Sequence, residues 1–199
     1  MKPNTFQLAI HHKSRSALVA IFVAASVGSR FAMATLPNVK LVSFFAAMGG
    51  IIGGPLAGFS VGFLSMLVSD VSFFGAGFWT LVTSSCMGLV GFLSGLLWFG
   101  RFKMIPSRLE FGVLGYLITL IYDVLTSVLS IPVMMHLLYG APATTFLAIF
   151  SVILGLFLPM GGFMWPAGPA HELSTALLLA LTAPAIIKRL GPKEGHLCG

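Results

Sequence analysis

Residues 30–62 read RFAMATLPNVKLVSFFAAMGGIIGGPLAGFSVG, and this stretch decides the fold. An arginine, a Pro37-Asn38-Val39-Lys40 turn and a glycine-broken apolar run sit inside one hydrophobic tract. A charge in such a setting is costly, so it faces a cavity, a partner or water, not lipid. The Gly53-Gly54-Pro55 triplet breaks the run, because proline cannot continue the preceding hydrogen-bond ladder. The stretch suggests a membrane helix bundle that holds a polar ligand near one end.

The rest of the chain agrees in character. Of 199 residues, 57% are apolar and only 8% are charged, and mean hydropathy is +1.01. Soluble domains are nearer a quarter charged, so this chain cannot present a wettable surface. The 23 glycines suit helices that approach closely in lipid. The net charge of +6 does not point to nucleic acid. The basic residues fall in short clusters at the ends of apolar runs, as the positive-inside rule expects. Cys86 and Cys198 form no metal motif and no disulfide framework. The first apolar run is long and lacks a clear cleavage site, so it reads as a retained span after a cytosolic segment 1–15.

Six spans fit best, in one membrane domain covering 1–199: about 16–34, 41–52, 56–69, 79–99, 109–135 and 171–187. Residues 143–163 are also long enough to span. Counting them as a seventh span would place Lys188, Arg189 and Lys193 on the outside, against the charge bias. With six, those residues join the N-terminal cluster and Arg101, Lys103 and Arg108 on one side, leaving Arg30 and Lys40 toward the other. Segment 143–169 then reads as an outer loop or re-entrant segment, and 189–199 as a cytosolic tail. A competing count fuses 41–70 into one kinked helix and keeps 143–163 as a span.

Several side chains break the apolar pattern, and each has a bland reading beside the functional one. Arg30 can bind a carboxylate or phosphate, or snorkel to the interface. Asn38 and Lys40 offer donors in what could equally be a solvated turn. Asp70 ends the third span, and Phe74 and Trp79 follow, either as headgroup anchors or as a wall against a planar ligand. Tyr122 and Asp123 sit mid-span and are the strongest anomaly: an aspartate at that depth must pair, titrate or meet a polar cavity. Arg30 is one available partner. His171 and Glu172 open the last helix, where a glutamate also suits the positive helix terminus. Ala20, Ala24 and Gly28 recur every four residues on one helix face, which favours close packing within the bundle or against another protein.

Enzyme signatures are missing from the sequence. HELST at 171–175 has Thr175 where a zinc-protease motif needs its second histidine. There is no Gly-x-Ser-x-Gly elbow. The glycines at 49, 50, 53 and 54 are not followed by the Lys-Ser/Thr of a nucleotide-binding loop. If the chain transports actively, a partner supplies the energy.

Taken together, Arg30 with LPNVK at 36–40, GPLAGFSVG at 54–62, LVSD at 67–70, FFGAGFWT at 73–80, YDVLTS at 122–127 and HELSTALLLALTAPAI at 171–186 resemble the substrate-binding S component of energy-coupling factor (ECF) transporters. The resemblance covers most of the chain from about residue 16 to 189. It implies an all-α, six-helix membrane bundle in the cell membrane with both termini cytosolic. It implies an outward pocket roofed by the loops after the first, third and fifth spans, with Arg30, Asn38, Lys40, Asp70, Phe74, Trp79, Tyr122, Asp123, His171 and Glu172 as candidate substrate contacts. It implies a membrane-embedded coupling subunit docked on Ala20, Ala24 and Gly28, two ATPase subunits, and a small vitamin as cargo with no catalytic cofactor. Asp70 stands where related sequences often carry asparagine, and the 143–163 loop is longer and more apolar than expected. That loop mildly favours a bulky ligand such as a corrinoid. Two other classes stay open: a structural or assembly subunit in which Asp123 and Arg30 pair inside the bundle, and an intramembrane enzyme.

Overall fold

The computed structural model describes residues 12–36, 39–100, 106–140, 150 and 168–190, and the described residues form helices and turns without strands. The expectations for segment 1–11, for Asn38, for nearly all of 143–167 and for the tail after 190 lie outside the described residues. Among the described residues six helices follow one another: α1 (His12–Ala32), α2 (Val42–Gly53), α3 (Pro55–Ser69), α4 (Phe78–Trp98), α5 (Arg108–Tyr139) and α6 (Gly168–Leu190). A π-helical turn, Asp70–Phe74, extends α3. Five stretches are long and apolar enough to cross a membrane, and α2 is a shorter apolar helix. Their outer faces carry large apolar side chains such as Ile21, Leu56, Leu109, Leu173 and Leu177.

Local chemistry sets the helix ends. Gly54 takes a left-handed φ of 94° and Pro55 follows at the first turn of α3, where its missing N–H is not needed. The chain reverses there, and α2 and α3 form an antiparallel hairpin. That excludes a single kinked helix over 41–70. Ser107 caps α5 by accepting from the Glu110 N–H at 3.1 Å. Gly140, left-handed at φ 64°, ends it.

The hairpin packs against α4 backbone to backbone. A Cβ on Gly50 or Gly58 would strike the Gly91 carbonyl, one on Gly91 would strike the Gly58 carbonyl, and one on Gly95 would sit 2.6 Å from Pro55. Lipid offers no hydrophobic drive for helices to associate, so such close approach is how they gain contact. α5 and α6 pair antiparallel, with Gly115 facing Ala176 and Leu179. The α1 window is only 6% buried against 56% for α4, so α1 lies at the periphery.

These pairings define two ends. Leu18 meets Gly53, Pro55 meets Gly95 and Trp98 stacks near Phe111 at 5.0 Å. Arg15, Arg108, Lys188 and Arg189 belong to that end. The ends of α1 and α3 and the starts of α2, α4 and α6 gather at the other.

Candidate functional site

Two polar stations occupy the second end. In the first, Arg30 Nη1 from the last turn of α1 donates to Asp70 Oδ1 at 2.5 Å and to Ser69 Oγ. The guanidinium carbon lies 4.6 Å from the Phe74 ring centroid. Asp70 is buried, and the π turn it opens brings both it and Phe74 to the same guanidinium. Arg30 pairs with Asp70 and not with Asp123, the partner entertained from sequence.

The second station joins three helices. His171 Nδ1, from the first turns of α6, lies 2.9 Å from Asp123 Oδ2 on α5. Its Nε2 lies 2.6 Å from Ser43 Oγ on α2. Nδ1 and Nε2 thus each hold a hydrogen-bond partner, with the donor in each bond set by the tautomer, while the Ser43 hydroxyl also donates to Met87 Sδ at 3.5 Å. The Tyr122 ring stands edge-on to the His171 ring at 5.6 Å. Ser43, Asp123 and His171 have no solvent exposure.

Glu172 adds a second carboxyl. It is 1% exposed and lies within hydrogen-bonding reach of Asp123. Asp123 Oδ1 and Glu172 Oε2 are both buried without a partner. A buried acceptor left unmatched costs about 1–3 kcal/mol, more when charged. Lys40, in the connection between α1 and α2, reaches over the Tyr122 ring at 5.7 Å. Burial pushes its ammonium below the usual lysine range, Asp123 pulls it back up, and Arg30, Glu172 and Asp70 also act on it. Lys40 thus links the two stations into one electrostatic cluster.

Of the side chains singled out from sequence, Arg30, Lys40, Asp70, Phe74, Tyr122, Asp123, His171 and Glu172 come together. Trp79 stands apart: it is 38% exposed and packs on Phe78 and Gly77. Asn38 lies outside the described residues. Ala20, Ala24 and Gly28 are exposed on α1, and a Cβ on Gly28 would meet nothing within 4 Å. Ser43 and Ser69 were missed. Their only sequence signal is a lone hydroxyl in an apolar run, and most such hydroxyls here bond back to their own helix, as Ser94 and Thr119 do. Among the described residues, no group of three or more His, Cys, Asp or Glu is arranged to hold a metal ion.

The sequence matches no family model, no curated protein and no solved structure.

Proposed function

We propose that the chain is the substrate-binding subunit of an ECF-type importer, capturing a vitamin or related micronutrient outside and delivering it inward. The observation that carries this reading is the convergence of Arg30, Lys40, Asp70, Asp123, His171 and Glu172 at one end of an otherwise lipid-facing bundle. Intramembrane charges of this kind mark ligand or ion pathways. The opposite end carries Arg15, Arg108, Lys188 and Arg189, which favours placing it in the cytosol with both termini. The cluster then faces outward, in a six-span protein of the cell membrane.

The open Ala20-Ala24-Gly28 face of α1 is the proposed seat of the membrane-embedded coupling subunit, which in turn brings two ATPase subunits. Its exposure argues against internal packing as the reason for the small residues. A corrinoid remains the favoured bulky cargo on the apolar character of 143–163. Mass spectrometry of the purified protein tests the reading: a co-purified vitamin is expected. Failure of every vitamin in a binding screen on folded protein would overturn it.

One observation favours a second reading. Ser43, His171 and Asp123 stand in the order of a nucleophile, base and orienting acid. A fluorophosphonate probe that labels Ser43, and fails to label it after His171→Asn, would support an intramembrane hydrolase instead. That reading ranks second because Ser43 Oγ is fully buried and also touches Met87 Sδ at 3.5 Å.

A further inference from the structure

Two basic side chains, Arg30 and Lys40, share this end with three carboxyls, Asp70, Asp123 and Glu172. Arg30 is committed to Asp70. That leaves Lys40 against Asp123 and Glu172, with the unmatched oxygens Asp123 Oδ1 and Glu172 Oε2 both buried. His171 already spends its Nδ1 on the other Asp123 oxygen, and the Tyr122 ring lies against both His171 and Lys40.

Among the described residues, Arg30 and Lys40 are the lysines and arginines at this end. Every lysine and arginine other than Arg30 and Lys40 lies within 2–15, 101–108 or 188–193. No charged residue or histidine occurs between His136 and His171. His136 lies about 20 Å further along α5 than Asp123, at 1.5 Å per residue. A buried carboxylate needs a paired charge or a hydrogen-bond donor, and one donor can serve an oxygen of each of two neighbouring carboxyls.

We infer that Asp123 and Glu172 are the recognition pair for a positively charged group of the ligand, so that the cargo is a cation and not an anion. This rests on the transport reading above. A protonated amine, an amidine-like edge or a cationic ring carries the donors that the two oxygens lack. Lys40, Arg30 with Asp70, His171 and Tyr122 are the groups surrounding it. A single proton shared by the pair is the competing occupant.

Purified full-length protein in lipid nanodiscs decides the matter by calorimetric titration. The probes are thiamin and aquocobalamin as cations, riboflavin and cyanocobalamin as neutral ligands, and biotin and pantothenate as anions. A cationic probe is expected to bind, with affinity falling by about tenfold or more in Glu172→Gln, since a charge-assisted bond is lost. Binding of a neutral or anionic probe in preference to the cations overturns the charge assignment and leaves the transport reading standing. So does binding of any probe that Glu172→Gln leaves within about twofold. Binding of none of the six to folded protein overturns both. If Glu172→Gln does not fold, the charge series on the wild-type chain decides alone.

Discussion

Arg30 and Asp70 form a pair that is buried on one side only: the aspartate side chain is 3% exposed and the arginine 20%. Removing one member leaves the other without its partner in a poorly solvated setting. A double-mutant cycle with Arg30→Gln and Asp70→Asn should therefore return a coupling energy of about 1–2 kcal/mol, read from thermal unfolding in detergent. A value near zero would mean that the pair does not hold in the folded protein. At the second station, Ser43→Ala removes one hydrogen-bond partner of His171 and should cost about 1 kcal/mol. His171→Ala leaves Asp123 unmatched at both oxygens and should cost more than twice as much by the same assay.

How legible these residues were follows from their chemistry. Asp123, His171 and Glu172 stand out in any reading because a charge among Leu, Val and Ile is expensive. Ser43 does not, because a serine near a helix start has an ordinary local explanation. The partner of Arg30 was not legible either. Sequence gives depth along each helix but not which helices are neighbours, so Asp123 was the partner considered for Arg30 and Asp70 was not.

At the scale of elements, the Gly53-Gly54-Pro55 break was legible because proline and a positive-φ glycine have few uses inside an apolar run. What could not be read was the face to which the hairpin turns. The answer lies in carbonyl-to-glycine approach among Gly50, Gly58 and Gly91, and glycines used for close approach look the same in sequence as glycines used for turns. Gly91→Ala should lower stability by about 1–3 kcal/mol, because the added methyl has backbone and no yielding side chain to displace. A melting temperature unchanged from wild type would contradict the packing.

Gly28 has the opposite setting. With nothing within 4 Å of its Cβ position, Gly28→Leu should leave the isolated subunit folded and its ligand binding intact. On the docking proposal it should abolish co-purification with the coupling subunit. Recovery of the complex at wild-type yield would remove α1 from that role.

For the whole molecule, the proposed topology puts the Arg15 and Arg189 end of the bundle in the cytosol and the polar cluster outside. Single cysteines placed at exposed Arg15 and Arg189 should react with a membrane-impermeant thiol reagent only from the cytosolic face, and one at Phe73 only from outside, in a background lacking Cys86 and Cys198. Labelling of residues 15 and 73 from the same side would refute the topology. The apolar helices among the described residues were legible in the sequence because length and hydropathy suffice for that. The pairing of α5 with α6 across the Asp123–His171 bond was not, since it depends on a contact between residues far apart in the chain.

The contrast between the two helix groups has a consequence for how the molecule breathes. α2, α3 and α4 meet through backbone atoms that leave no slack, whereas α5 and α6 touch them largely through side chains such as Ser43 on His171 and Trp98 on Phe111. Local opening follows the weaker joint, so amide protons on the facing sides of α3 and α4 should exchange with deuterium last. Those flanking Asp123 and Glu172 should exchange sooner, and slow once a ligand fills the space between the two carboxyls.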